Sequence, residues 1–142
     1  MKKVVYLFLV LLFATIFNGC SSVTTISESP REAGVSKIFK INKANANLEV
    51  KKAFESNKIK LKTEKELDEK NSEIVGQTPV TAFSYGEIIR VILEKTSEEE
   101  TLVRILTKRV LATNVFAKSD WSPEIFSALE TNEKDKNKEE IK

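Results

Sequence analysis

Two aliphatic stretches near the middle of the chain place the strongest constraint on its fold. Residues 88–93 and 102–110 are rich in Ile, Val and Leu, and the polar residues 96–100 separate them. β-Branched residues favour strands, and a short polar connection favours an antiparallel pair. The sequence therefore predicts a β-hairpin over residues 88–110.

The flanking segments supply the remaining elements of the predicted fold. Strand patterns occupy residues 37–41, 59–63 and 74–75, and the second of these alternates apolar side chains with lysines. A helix between the first two strands is capped by Asn45 or Asn47. The apolar face of that helix comprises Ala46, Val50, Ala53 and Phe54. We predict an α+β fold of order β-α-β-β-β-β-α, with an antiparallel sheet of about four to five strands and two helices packed on one face.

The start of the last helix carries the clearest local pattern. Ser122 is a favourable N-cap, Pro123 suits the first helical position, and Glu124 lies in the positively polarised first turn. Trp121 and Phe126 then occupy the two positions of a hydrophobic staple. We interpret Trp121 as part of this staple, and the alternative is an anchor for a binding partner.

Composition divides the chain into four parts. Residues 1–19 form a basic and apolar leader, and residues 20–36 are rich in Ser and Thr and are predicted to be a flexible tether. Residues 37–130 are predicted to form a single small domain. Residues 131–142 are almost entirely charged and are predicted to be disordered.

The leader and the only cysteine together form a targeting signal. Lys2 and Lys3 precede residues 4–17, which are apolar except for Thr15. This run is shorter than the ~20 residues of a spanning helix and fits the apolar region of a signal peptide, about 7–15 residues long. Gly19 and Cys20 follow it. The arrangement resembles the lipobox of bacterial lipoproteins, in which a signal peptidase cuts before a cysteine that carries lipid.

The lipobox resemblance implies cleavage between Gly19 and Cys20, and a covalent diacylglycerol and N-acyl chain, such as palmitate, on Cys20. It places the protein in the bacterial cell envelope, anchored to a membrane by lipid. Ser21 after the cysteine implies the outer membrane if the cell has one. The alternative is an uncleaved N-terminal anchor, which leads to almost the same location.

Residues 37–130, with their hairpin and a tryptophan before the terminal helix, also resemble small α+β bacterial lipoprotein domains of uncharacterised function. This second resemblance implies a fold and an envelope location. It implies no catalytic residue.

Charge argues against nucleic acid as a partner. The chain has 23 basic and 21 acidic residues, and two of the basic residues belong to the leader, so the mature chain is formally neutral. A neutral domain has no long-range attraction for polyanions. Phosphate and base recognition usually depends on arginine, and the only arginines are Arg31, Arg90, Arg104 and Arg109.

The residues that usually carry enzymatic chemistry are missing or already assigned. The chain has no histidine and one cysteine, which excludes a Ser–His–Asp triad, histidine acid–base catalysis and most zinc sites. Asp68, Glu69 and Glu73 form the nearest carboxylate cluster, and we interpret them as a solvated hairpin tip. We predict no catalytic residue, no metal site and no cofactor apart from the acyl chains on Cys20.

One face of the predicted hairpin is less polar than a solvated surface would be. It consists of the even-numbered residues Ile88, Arg90, Ile92, Leu102, Arg104 and Leu106. The odd-numbered face is the natural bed for the helices. Either another element covers the even-numbered face, or this face is a docking surface with Arg90 and Arg104 as its polar contacts.

These observations favour a non-enzymatic, lipid-anchored envelope protein that binds another envelope protein or serves envelope assembly. The alternative is a lipid- or small-molecule-binding periplasmic module. It predicts a pocket between helices and sheet lined by Phe54, Val91 and Ile105, where the first hypothesis predicts a filled core. Tyr85 is interpreted as packing at a sheet edge, and the alternative places it at a pocket mouth.

Overall fold

A five-stranded antiparallel sheet forms the centre of the computed structural model, which describes residues 22–82 and 84–139. The elements follow the order α1 (Val23–Ser27), β1 (Val35–Phe39), α2 (Lys43–Ser56), β2 (Lys60–Glu66), β3 (Asn71–Gln77), β4 (Glu87–Lys95), β5 (Thr101–Arg109) and α3 (Ser122–Glu139). The predicted α+β class and antiparallel sheet are confirmed, and α1 is an addition to the predicted order. The predicted leader, its cleavage site and Cys20 lie outside the described residues.

The predicted hairpin is the middle of the sheet. β4 and β5 pair in register from Glu87 opposite Arg109 to Lys95 opposite Thr101. The sheet order is β1-β5-β4-β3-β2, so β1 adds to the outer side of β5, and the β2–β3 hairpin adds to β4. The edge strands are therefore β1 and β2.

The odd-numbered face of the hairpin carries the main hydrophobic core under α2 and α3. The buried side chains of this core come from both helices and from the strands, and include Phe54, Val91, Val103, Ile105 and Leu129. A Cβ on Gly76 would lie 2.5 Å from side-chain atoms of both Phe54 and Ile59. Glycine at this position of β3 therefore lets α2 pack close to the sheet.

Helix α2 begins at Lys43, at least three residues earlier than the asparagine pattern predicts. Asn42 is the N-cap, and its Oδ1 accepts a hydrogen bond from the Asn45 backbone N–H over 2.9 Å. The prediction of Asn45 or Asn47 as the cap is therefore wrong. Three asparagines in six residues satisfy the same local rule, and packing of the helix on the sheet selects the first.

Helix α3 begins at Ser122, one residue earlier than the predicted N-cap at Ser122 implies, and Asp120 accepts hydrogen bonds at this start. The Ser122 backbone N–H and hydroxyl both donate to the Asp120 carboxylate over 2.8 Å. Trp121 and Phe126 are both partly buried against the main core, which supports the staple interpretation. The helix continues to Glu139, so residues 131–139 are helical and the prediction of a tail disordered from residue 131 is wrong.

Residues 22–34, which we call the N-terminal segment, pack on the even-numbered face of the sheet, which we call its second face. This packing contradicts the prediction of a flexible tether over residues 20–36. Ile26 of α1 is fully buried and forms a small second core with Val75 and Ile88. Gly34, at φ +109°, then brings the chain so close to β5 that a Cβ there would lie 2.2 Å from the Ile105 carbonyl oxygen. β1 begins at the next residue, Val35.

Candidate functional site

The second face of the sheet is the surface that the sequence nominated for docking, and Arg90 lies at its centre. The Arg90 guanidinium donates three hydrogen bonds to carbonyl oxygens of the N-terminal segment: to Ile26 over 2.9 Å, Ser29 over 2.6 Å and Pro30 over 2.7 Å. Arg90 is 1% exposed. Burial lowers its pKa, and the nearby carboxylates of Glu73 and Glu32 oppose that shift. Arg90 therefore holds the N-terminal segment on the sheet.

Glu73 supplies the negative charge beside Arg90. It is 2% exposed, its Oε1 accepts a hydrogen bond from Ser27 Oγ over 2.8 Å, and Lys65 Nζ lies 3.1 Å away. The interpretation of Glu73 as part of a solvated hairpin tip is therefore wrong. The strand register turns Glu73 toward the second face, where α1 covers it.

Half of the nominated docking surface is thus closed. Ile88, Arg90 and Ile92 are each at most 2% exposed, so they are unavailable to a partner. This outcome matches the alternative in which another element covers the even-numbered face. The covering element is the segment that composition had assigned to the tether.

The other half of the surface remains accessible. Leu102, Arg104 and Leu106 of β5 are partly buried, and Ile38, opposite Leu102 on β1, is 57% exposed. Arg104 lies 3.5 Å from a Glu94 carboxylate oxygen. We call Ile38, Leu102, Arg104 and Leu106 the open face.

The two edges of the sheet differ in the protection that charge provides. Every residue of β2 is exposed, and five of its seven residues are Lys or Glu. Lys43 and Lys51 of α2 pair with Glu66 and Glu64 across this edge, at 2.7 and 2.8 Å. By contrast β1, with sequence VSKIF, carries one charge, on Lys37. Charge on an edge strand opposes addition of another strand, so β1 is the edge that is open to pairing within the described part of the chain.

The pocket of the alternative hypothesis lies where the structure has its main core. Phe54, Val91 and Ile105 are each at most 1% exposed and belong to one cluster of buried side chains that also includes residues of both covering helices. This packing supports the filled core of the first hypothesis.

A polar depression occurs elsewhere between helix and sheet. It has a volume of about 290 Å³ and is lined by Lys43, Ala44, Asn47, Glu66 and Ser72. Ser72 Oγ is buried and has no hydrogen-bond partner among the described residues. An unsatisfied buried hydroxyl costs about 1–3 kcal/mol, so a polar group bound in the depression would stabilise it. Sequence patterns gave no signal for this site, because its residues come from three separate elements.

The other two acids of the predicted tip do lie in a turn. Asp68 Oδ1 accepts hydrogen bonds from the side-chain amide and backbone N–H of Asn71 and from the Lys70 N–H, and Arg31 pairs with Oδ2 over 2.9 Å. These bonds, first of all that of the Asn71 side chain, lower the Asp68 pKa from 3.8 to about 2. The turn interpretation is confirmed for Asp68 and Glu69, which are exposed.

A buried carboxylate joins the segments at the opposite end of the sheet. Glu87 accepts hydrogen bonds from Thr78 Oγ1 over 2.5 Å, Ser84 Oγ over 3.3 Å and the Lys118 N–H over 2.8 Å. It therefore ties the β3–β4 loop and the segment after β5 to the start of β4. Neighbouring Tyr85 is 58% exposed, so it does not pack as predicted at a sheet edge.

Comparison with known proteins assigns no family to this chain. No protein-family model matches the chain, and no curated protein matches its sequence significantly. Over residues 22–82 and 84–139, no cluster of three or more acidic, cysteine or histidine side chains is placed to hold a metal ion. No helix in that part of the chain is long and apolar enough to cross a bilayer.

Proposed function

We propose that this chain is a lipid-anchored cell-envelope protein that binds another envelope protein through the edge of β1 and the open face. The observation that carries the proposal is β1 itself, an edge strand with one charge and with Ile38 57% exposed. An extended segment of the partner would continue the sheet by pairing with β1. Its apolar side chains would cover Ile38 and Leu102.

The chemistry of the open face favours a partner segment that alternates apolar and acidic residues. A strand added beside β1 directs every second side chain to the open face. Arg104, which lies 3.5 Å from Glu94, would pair with a carboxylate of that segment. The aliphatic neighbours Leu102 and Leu106 would take its apolar side chains.

The proposed anchor makes modest affinity sufficient. An acylated Cys20 confines the domain to a membrane surface, and confinement raises the effective concentration of a partner in the same membrane. The proposed role is binding and assembly. Its further support is a sequence with no histidine and a single cysteine that is assigned to lipid.

In-cell cross-linking of matched edge-strand variants tests this proposal. Ile38→Lys places a charge on β1, and Leu61→Lys places the same charge on β2, where the native leucine is also exposed. We expect a specific envelope protein to cross-link to the native chain and to Leu61→Lys but not to Ile38→Lys. Equal capture by both variants would show that β1 is not the binding edge. Absence of any specific partner would contradict the binding role.

The polar depression supports a second candidate, a site for a small polar molecule. The observation in its favour is the buried, unpartnered Ser72 Oγ, with Lys43 and Asn47 beside it. Native mass spectrometry of the full chain purified from cells would detect such a molecule. A bound mass that disappears in Asn47→Leu supports this candidate, and a single unliganded mass contradicts it.

A further inference from the structure

Four large apolar side chains are exposed at one end of the sheet. They belong to the β3–β4 loop and to the segment after β5, and are Val80, Tyr85, Val115 and Phe116. The Asn114 side-chain amide donates to Ser84 Oγ over 3.3 Å, which joins the two segments next to Tyr85 and Val115. We call these four side chains the apolar tip, and this end of the sheet the loop end.

The apolar tip is carried on a bonded frame. Glu87 holds Thr78, Ser84 and the Lys118 N–H, as described above, and Phe116 N–H donates to Asn114 Oδ1 over 3.2 Å. Val115 and Phe116 are nevertheless each 75% exposed. Large apolar side chains exposed on two hydrogen-bonded segments in this way favour an interaction surface.

The described chain begins near this same end. Val23, in α1, packs against the small core that contains Ile88, and so does Val110, the residue that follows β5. Ile88 is the second residue of β4, next to the loop end. Ser22 is two positions after Cys20, a span of at most about 7 Å in an extended chain. A lipid on Cys20 therefore holds the loop end close to the bilayer.

Basic side chains outnumber acidic ones at this end. Five basic residues lie there, at the start of β2, at the end of β5 and in the segment after β5: Lys58, Lys60, Lys108, Arg109 and Lys118. The four acids there are Glu55, which is exposed in the last turn of α2, Glu87, which is buried, Asp120, which accepts hydrogen bonds from Ser122, and Glu124, which pairs with Lys118. A basic side chain near an anionic membrane contributes about 1 kcal/mol to binding.

The opposite end of the sheet is acidic. The β2–β3 and β4–β5 turns occupy residues 67–70 and 96–100, and carry Asp68, Glu69, Glu98, Glu99 and Glu100 against Lys70. Arg31 pairs with Asp68 and Lys95 with Glu98, which leaves three acids of these turns outside those pairs. An anionic surface repels these turns. Charge and apolar exposure thus favour the same end of the domain for contact with a membrane.

We propose that the apolar tip docks on the lipid bilayer that holds the anchor, with anionic lipid headgroups facing the basic side chains of the loop end. This inference rests on the proposed lipid anchor, which sets the distance but not the orientation. Docking turns the acidic turns away from the membrane. It leaves the β1 edge standing off the bilayer, accessible to a partner.

Depth-dependent quenching of tryptophan in the full chain tests this orientation. Trp121 Nε1 has no hydrogen-bond partner among the described residues, so Trp121→Phe provides a background with little polar cost. Val115→Trp in that background probes the loop end, and Glu99→Trp probes the acidic turns. Each chain is purified in detergent and reconstituted into phosphatidylcholine vesicles containing phosphatidylglycerol and bromine-labelled acyl chains.

We expect the bromines to reduce the fluorescence of Val115→Trp about twofold and to leave Glu99→Trp unchanged, because interfacial groups lie about 5–10 Å deep. Unquenched fluorescence from both probes would overturn the orientation, as would stronger quenching of Glu99→Trp. Hydrogen exchange of the unsubstituted chain gives a second reading. Vesicles should slow exchange in residues 79–86 and 111–118 but not in residues 67–70 and 96–100. An equal effect of vesicles on both pairs of segments would overturn the inference.

The mass of the N-terminal peptide separates this inference from the proposed anchor. Acyl chains on Cys20 together with an unquenched Val115→Trp would refute membrane docking and keep the anchor. An unmodified Cys20 together with a quenched Val115→Trp would refute the anchor and keep the docking surface.

Discussion

The Arg90 guanidinium lies 2.9 Å from the carbonyl oxygen of Ile26, although 64 positions separate the two residues along the chain. This contact and its two neighbours close half of the second face with a segment that starts beside the predicted lipid attachment. The segment that follows the predicted attachment is therefore bonded to the middle strand of the sheet and is not a loose linker.

Replacement of Arg90 by leucine should release the N-terminal segment. Arg90→Leu leaves three carbonyl oxygens without the guanidinium donor and removes one of the two cations beside Glu73, and breaking a buried charged contact of this kind costs about 3–5 kcal/mol. Urea denaturation measures the loss, and hydrogen exchange should become faster in residues 22–34. Arg104→Leu is the matched control, because its partly exposed contact to Glu94 contributes less than about 1 kcal/mol. Equal losses in the two variants would contradict the role of Arg90.

Gly34→Ala should be strongly destabilising for a reason of backbone geometry. Gly34 has φ +109°, and an added Cβ would lie 2.2 Å from the Ile105 carbonyl oxygen. Alanine in an incompatible conformation costs more than about 1 kcal/mol, and we expect thermal unfolding at a clearly lower temperature. Ser36→Ala, two residues later on exposed β1, should change stability by less than about 0.5 kcal/mol. A Gly34→Ala variant as stable as the native chain would show that the N-terminal segment does not cross β5 in this way.

Loss of the Glu87 carboxylate should loosen both segments of the loop end. Glu87→Ala leaves the Thr78 hydroxyl and the Lys118 N–H without their acceptor, at a cost of about 1–3 kcal/mol for each unsatisfied buried group. Exchange of amide hydrogens should accelerate in residues 78–86 and 110–121 together. The control is Glu94→Ala on the same strand, which removes a 3.5 Å contact to Arg104. Acceleration in one segment alone would show that Glu87 does not connect them.

Asp68 should contribute to loss of stability in acid. Its folded-state pKa of about 2 lies below its ordinary value of 3.8, so its stabilising contribution is fully present above pH 4 and is lost as the pH falls toward 2. Asp68→Asn keeps an oxygen acceptor for the turn and removes the titration. We expect the stability of Asp68→Asn to fall less steeply than that of the native chain between pH 4 and 2. Parallel pH profiles would contradict this assignment.

Local patterns predicted the elements whose own residues specify them. The β4–β5 hairpin carries its strands and turn within 23 positions of sequence, and the α3 start is encoded by neighbouring residues around Ser122. Charge composition predicted the tail less well, because Thr131 and the residues after it extend a helix whose first turns are fixed by burial of Ile125 and Leu129. A helix that is nucleated by packing extends at little further cost.

The candidate sites are formed by contacts between segments that lie far apart in the sequence, so local patterns did not predict them. Composition assigned residues 20–36 to a tether, since a single Ile26 among serines and threonines carries no periodic signal. Its partners Val75 and Ile88 lie on two different strands. The segment that makes these contacts also buries Arg90, whereas Ile38 on the same face is exposed, and no local pattern distinguishes these outcomes.

The sequence by itself determined the α+β class, the central hairpin and the helix-covered odd-numbered face, because side-chain periodicity and turn chemistry act over a few residues. It also supplied the prediction of a lipid anchor at Cys20. Only the tertiary structure decided which half of the second face is covered, which sheet edge is unprotected, and that the apolar tip lies at the end where the described chain begins. These features depend on burial and register between segments far apart in sequence, which pairwise spacing along the chain does not encode.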